Sequence, residues 1–324
     1  METTGKTPAY VGIDISKSFF DAALPQAGEY RHLHLGNDEK GFGKLLEAVE
    51  GLGAVCVLEA SGPYYLRLAY YLHRQGVEVS VVNPLSVRRF CQMRMSRAKT
   101  DRKDAVMIAE YGKSETPDKW QPEPEHHLEL KQLQTVLEGL QKTLHQHRRQ
   151  LEALQEAPRV NRQAVASLKR MIREAEREIG QVEEQMQLLI EQHHGRLYEQ
   201  VKSIPGIGSK CSLLLIVITG GFTRFSHHKK LIAYLGLSPR VYESGTSVKG
   251  RGRICKMGMS RMRQVLYVCS WSAIRCNKAC KELYERLVSK GKAKKLALVA
   301  VVNKLVKQAF AIATKGGVYL EKSN

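Results

Sequence analysis

The order of apolar and polar positions divides the chain into three stretches of different period. From residue 9 to 24 (AYVGIDISKSFFDAAL), β-branched and aromatic residues predict a strand, a turn and a second strand around a lone Asp14, and residues 29–36 predict a third strand. A helix over 38–51 follows, then an apolar strand over 54–59 (AVCVLE) that ends on Glu59, a helix over about 64–75, a strand in VEVSVVNP (77–84) and a basic helical stretch. Strands alternating with helices predict an α/β sheet with helices on its faces. Beyond a linker, WQPEPE at 120–125, the period becomes an alternation of three and four. Leu130, Leu133, Leu137, Leu140, Leu144, Leu151 and Leu154 lie on one seam, with His147 in the missing position, until Pro158 interrupts it. Leu168, Ile172, Ala175, Ile179, Val182, Met186 and Leu189 form a second seam. Two seams joined by a Pro-containing turn predict a helical hairpin or paired helices packing as coiled coil, closed within one chain or between two. Closure between chains is favoured, because long thin helices have little else to pack against. The last stretch is helical: an apolar helix after SIPGIG (203–208), helices over 260–288, and a final helix near 296–313. That final run is interrupted by Asn303, Lys304 and Lys307, so it reads as amphipathic and not as a membrane span.

Charge follows the same division. The 324 residues carry a formal net charge of +19, yet residues 200–324 hold 24 Lys and Arg against four Glu and no Asp, leaving residues 1–199 near neutrality. An ordinary solubilising surface mixes both signs, so so few acids over 125 residues point to a polyanionic partner for this end of the chain. The seven cysteines form no CxxC pair and suit reduced packing thiols, and the His-His pairs at 126–127, 193–194 and 227–228 lack zinc-type spacing and read as solvated or contacting residues. METTGKTP at the start has no signal-peptide core, and a cytoplasmic protein, nucleoid-associated when bound, is expected.

Candidate chemistry sits at both ends. Asp14 and Glu59 stand late in apolar strands, where a carboxylate asks for a metal or a cation. Asp101 and Asp104 in KTDRKDA (99–105) are three apart at a helix start and share one face. Oxygen-only ligands suit Mg²⁺ or Mn²⁺, and a pair of such ions can clamp the attacking and leaving oxygens of a phosphoryl transfer. The structural alternative is that Asp101 and Asp104 serve the helix dipole while Asp14 and Glu59 pair with Lys or Arg. In the basic end, YESGTSVKGRGR (242–253) sets Ser244, Thr246 and Ser247 among glycines and follows them with Lys249, Arg251 and Arg253, a stretch suited to close approach of an anionic backbone. Gly206 and Gly208 precede a helix and can offer backbone N–H groups to a phosphate, with Lys210 beside them and Arg261 and Arg263 further on as DNA contacts.

GIDISK (12–17), LEASGPYY (58–65) and KTDRKDA together resemble the Asp-Glu-Asp-Asp set of a RuvC-like, ribonuclease-H-type domain, as found in insertion-sequence transposases of the IS110 kind and the related Piv-type DNA invertases. SIPGIG, AYLGLSPR (233–240) and YESGTSVKGRGR resemble the transposase domain of the same family, and the order of parts agrees from residue 10 to about 315; Met262-Arg263 stands where Leu-Arg is expected. The resemblance implies an α/β RuvC-like N-terminal domain (1–118), a helical coiled-coil dimerisation arm (119–194) and a mostly α-helical transposase domain (195–324). It implies that Asp14, Glu59, Asp101 and Asp104 hold Mg²⁺ or Mn²⁺ and that Ser244, by motif position, attacks double-stranded donor and target DNA. It further implies a structured guide RNA encoded by the element, and a dimer or dimer of dimers. A metal-dependent junction-resolvase-like hydrolase, in which water attacks, and a non-catalytic nucleic-acid scaffold are the alternatives.

Overall fold

The computed structural model describes residues 8–95, 100–240 and 257–320, together with the short strands at 239–240, 243–244, 248–249 and 253–254. The chain divides into two compact units, Met1–Glu123 and Pro124–Asn324.

The first unit is a five-stranded mixed sheet carrying helices on both faces. In chain order it comprises β1 (Ala9–Ile15), β2 (Phe19–Gln26), β3 (Glu29–Gly36), α1 (Glu39–Val49), β4 (Ala54–Glu59), α2 (Tyr65–Arg74), β5 (Glu78–Val82), α3 (Pro84–Met93) and α4 (Asp101–Glu115). The strand order is β3-β2-β1-β4-β5; β1, β4 and β5 run parallel and β2 runs antiparallel to both its neighbours. Alternation along the strands sorts the side chains. Val11, Ile13, Phe20, Ala22 and Leu58 pack with Phe42 and Leu45 of α1 and Leu68 and Leu72 of α2, while Val55 and Val57 pack with Val87 of α3 and Ile108 of α4. Gly12 lies on the face covered by α4. A Cβ there would stand 2.0 Å from the Ala105 carbonyl oxygen and 2.3 Å from the Ala109 nitrogen. Glycine therefore lets the helix backbone rest directly on the central strand. Tyr30 of β3 also donates its hydroxyl to Glu110 and ties the same helix to the sheet. The expected linker starts in docked chain: Trp120 donates its backbone N–H to Val79 O at 2.7 Å and meets the Tyr70 ring edge-on.

The second unit is helical, with α5 (Glu125–Gln155), α6 (Arg162–Lys202), α7 (Ser209–Thr219), α8 (His228–Tyr234), α9 (Ser260–Cys276), α10 (Lys278–Ser289) and α11 (Lys294–Lys315). The two seams meet within one chain, the first of the two closures that the period allows. Leu130, Leu137 and Leu144 of α5 are buried with Ala175, Val182, Met186 and Ile190 of α6, and Arg148 bridges to Glu176 at 2.6 Å. Asn161 caps the return helix, accepting from the Gln163 and Ala164 N–H groups. Toward the tip of this hairpin, Leu151, Leu154, Leu168 and Ile172 remain only half-buried. At its base the hairpin joins a core in which α7 is buried nearly all round, packed with α5, α6 and α9. By length and composition α11 is long and apolar enough to cross a membrane, but Val301, Val302, Leu305, Val306 and Ala309 place it in this core.

Four two-residue strands interrupt the helices: β6 (Pro239–Arg240), β7 (Glu243–Ser244), β8 (Val248–Lys249) and β9 (Arg253–Ile254). Arg240 pairs with Arg253 and Ser244 with Val248, both antiparallel, so the second ladder lies within the span of the first. The Gly-rich basic stretch is thus bounded and crossed by two ladders of backbone pairing.

Candidate active site

The sheet register gathers the expected carboxylates. Ile13 is opposite Leu58 in the parallel β1–β4 pair, so one residue on, Asp14 and Glu59 reach the carboxyl ends of adjacent strands, where ligands bind in open α/β sheets. Both follow, two residues later, positions that face α4 or its neighbour α3, and alternation puts them on that face as well. Thr100 caps α4 by accepting from the Lys103 N–H, which fixes the first turn that carries Asp101 and Asp104. Because α4 rests on Gly12, that first turn comes down beside Asp14. One carboxylate oxygen from each of Asp14, Asp101 and Asp104 lies within 4.8 Å of the other two. Glu59 borders the group closely enough to act on Asp14 electrostatically.

Burial raises the Asp14 pKa to about 6, and the charges of Asp104, Glu59, Asp101 and Asp21 push it the same way. No basic group among the described residues offsets them at Asp14. The arrangement is therefore self-repelling, which disfavours the alternative of an Asp14 paired with Lys or Arg. Asp14 is also not alone in its stretch. Asp21 is its register partner in β2 and His34 is the partner of Asp21 in β3, the His34 Nδ1 standing 3.1 Å from the buried Asp21 carboxylate. A row of ionisable groups thus crosses three strands. The signal was available in the two-residue period of FFDAAL once the hairpin register is drawn. Cys91 of α3 lies at the edge of the cluster; burial first, then Asp104 and Glu59, push its thiol up, which favours the thiol over the thiolate.

In the second unit the expected phosphate contacts have varied surroundings. Gly206 adopts a φ of +99°, and a Cβ on it would stand 2.6 Å from that of Ala273, so its glycine serves the packing of the turn on α9. Gly208 occupies the N-cap position of α7 with open space where a Cβ would lie. Lys210 pairs with Glu183 of α6 at 2.9 Å, and Arg261 donates to Gln141 of α5. Arg263 donates to the carbonyls of Leu235 at 3.0 Å and Met257 at 3.2 Å, holding the chain on either side of the strand ladders. Ser244, Lys249 and Arg253 are backbone-paired in β7, β8 and β9, whereas Arg251, Thr246 and Ser247 lie outside the described residues.

Two family models match the chain. Residues 11–157 match the transposase family with the Asp-Glu-Asp-Asp domain of the IS110 type, and residues 198–285 match the Transposase IS116/IS110/IS902 family. The chain belongs to the IS110 family of transposases. Its curated relatives include the pilin gene-inverting proteins of Moraxella lacunata and Moraxella bovis, each 29% identical over 94% of this chain and 95% of theirs. A putative transposase of Sinorhizobium fredii is 25% identical over 82% of this chain and 71% of its own length. This transposase is accordingly a DNA recombinase, and its mixed N-terminal sheet fits the RuvC-like expectation. The first family match spans all four carboxylates, and the second spans the α6–α7 turn, the strand ladders and α9.

Proposed function

We propose that this transposase cuts and rejoins double-stranded DNA through a covalent serine–DNA intermediate, with divalent metal held by Asp14, Glu59, Asp101 and Asp104. The convergence of carboxylates on a half-buried Asp14, on which only like charges act among the described residues, is the observation that carries the reading. The donors are all hard oxygens, so the cluster fits Mg²⁺ or Mn²⁺. A cation of this kind supplies charge neutralisation at the phosphoryl oxygens.

Ser244 is the nucleophile by motif position. Its Oγ forms a bond to phosphorus as the scissile P–O bond breaks, and the proton leaves with the freed strand hydroxyl. One phosphodiester replaces another, so bond energy is kept for rejoining, which suits inversion or transposition. Backbone pairing of Ser244 with Val248 restrains the main chain at this position. Lys249, Arg251 and Arg253 steady phosphate charge, and Gly208 with the N-terminus of α7 contributes a sequence-independent backbone contact. A structured RNA from the element's own non-coding end selects the sequence by pairing, while the protein reads backbone and shape. The half-buried leucines at the hairpin tip supply the surface through which copies of the chain assemble, and the protein works in the cytoplasm on the nucleoid.

The test is a denaturing gel of protein with labelled target DNA, element-derived RNA and Mg²⁺. A protein–DNA adduct is expected in wild type and in Ser247→Ala and absent from Ser244→Ala. Cleavage that persists in Ser244→Ala would establish hydrolysis by water instead.

A further inference from the structure

Two histidine pairs that sequence spacing keeps apart meet at the base of the α5–α6 hairpin. His126 and His127 lie in the first turn of α5, and His193 and His194 lie late in α6. The Nε2 atoms of His127 and His194 stand 3.0 Å apart, and His127 is only 3% exposed. The His126 ring stacks on His193 with centroids 4.2 Å apart and planes 5° from parallel. One ring nitrogen from each of His126, His127 and His194 lies within 4.8 Å of the other two. The backbone of α6 leaves helical geometry at His194 itself, with φ −138° and ψ 17°, so the helix breaks at the residue whose ring meets α5. Gly221 closes the far side, since a Cβ there would stand 3.0 Å from His194 Cε1.

We propose that His126, His127 and His194 form a three-imidazole site for a borderline transition-metal cation of the zinc(II) class, which staples α5 to α6 at the base of the arm. With metal–nitrogen bonds of about 2.0–2.1 Å, neighbouring donors stand about 2.9 Å apart at a right angle and about 3.3 Å apart in a tetrahedron, so the His127–His194 separation falls within range. Bringing in the third donor needs a side-chain rotation at His126, whose ring is half-buried. Burial first, and then the neighbouring imidazoles, hold His194 down at about 4, which leaves its ring neutral with a lone pair to donate. Nitrogen donors separate this site chemically from the carboxylate cluster of the first unit. Imidazole suits zinc, cobalt or nickel, whereas the carboxylates suit magnesium or manganese. A bare hydrogen bond between two neutral imidazoles is the competing account of the 3.0 Å contact.

The experiment uses the untagged full-length protein with excess Mg²⁺ to occupy the carboxylates, titrated with Co²⁺ and with Zn²⁺. One equivalent of Co²⁺ should bind with the strong visible absorption of a low-coordinate nitrogen site, and Zn²⁺ should displace it. Loss of a ligand in His126→Gln or His194→Asn should weaken binding by at least the roughly 10–100-fold that loss of a supporting partner costs. His194→Cys keeps a zinc ligand and should retain most of the Zn²⁺ affinity, while His227→Gln should behave as wild type. Circular dichroism on each variant checks that the helices persist, and His126→Gln, at a half-buried ring, is the variant least exposed to misfolding. Equal Co²⁺ binding in wild type, His126→Gln and His194→Asn would overturn the proposal, as would binding lost in Asp14→Asn instead. Absence of micromolar binding by wild type would leave the hydrogen bond as the whole account.

Discussion

Replacing Asp14 by Asn should make the metal-free protein more stable. The carboxyl, raised from 3.8 to about 6 mainly by burial and then by Asp104, Glu59, Asp101 and Asp21, is ionised at neutral pH against its surroundings. At about 1.36 kcal/mol per pKa unit the penalty is about 3 kcal/mol. Asp14 is only half-buried, and solvent screening reduces that to about 1–2 kcal/mol. Its sign is set by linkage: below the ordinary carboxylate pKa both folded and unfolded chains hold the proton and the penalty is absent. It grows as the pH rises through the window up to about 6 and is complete above it. Thermal unfolding in EDTA should therefore show Asp14→Asn melting about 3–6 °C above wild type at pH 7.5, with the gain shrinking toward pH 4. With millimolar Mn²⁺ the order should reverse, because metal stabilises only the protein that binds it. An Asp14→Asn variant that melts at or below the wild-type temperature in EDTA at pH 7.5 would refute the reasoning, and so would equal Mn²⁺ stabilisation of both proteins.

Four further outcomes follow from the same geometry. Gly12→Ala forces a methyl against the Ala105 carbonyl and the Ala109 nitrogen, so it should cost about 1–3 kcal/mol in urea unfolding and weaken Mn²⁺ binding through displacement of α4; unchanged calorimetric binding would contradict it. Arg263→Gln removes bonds to two backbone carbonyls and should lower stability by about 1–3 kcal/mol, whereas Lys249→Gln should leave the melting temperature in place and reduce the salt slope of DNA binding by about one. Leu151→Asn combined with Leu168→Asn, at the half-buried hairpin tip, should dissociate an assembled protein in light scattering; an unchanged mass would place the assembly surface elsewhere.

How much of this was legible in the sequence depended on the range of the cause. The strands at 29–36 and 54–59 were readable to the residue because alternation is local, and Asp14, Glu59, Asp101 and Asp104 were readable as carboxylates ending apolar runs or opening a helix. Asp21 was passed over because its relation to Asp14 exists only in the register of a hairpin. The leucine seams were plain, but the partner of a seam is not written in its period, and here it is the returning helix of the same chain. Gly206 had the look of a phosphate turn, yet its absent Cβ makes room for Ala273, some 67 residues away in sequence. The His-His pairs carried no metal-ligand spacing because their convergence is made by the antiparallel return of α6.

The most direct test of the central claim is to trap the protein on labelled target DNA with element-derived RNA and Mg²⁺, digest it, and find the residue that carries the nucleotide. Cleavage after Arg240 and Lys249 isolates the peptide VYESGTSVK. The account predicts a nucleotide phosphate on Ser244, formed in wild type and missing in Asp14→Asn. A phosphate on Thr246 or Ser247, or cut DNA with no modified peptide, would contradict it.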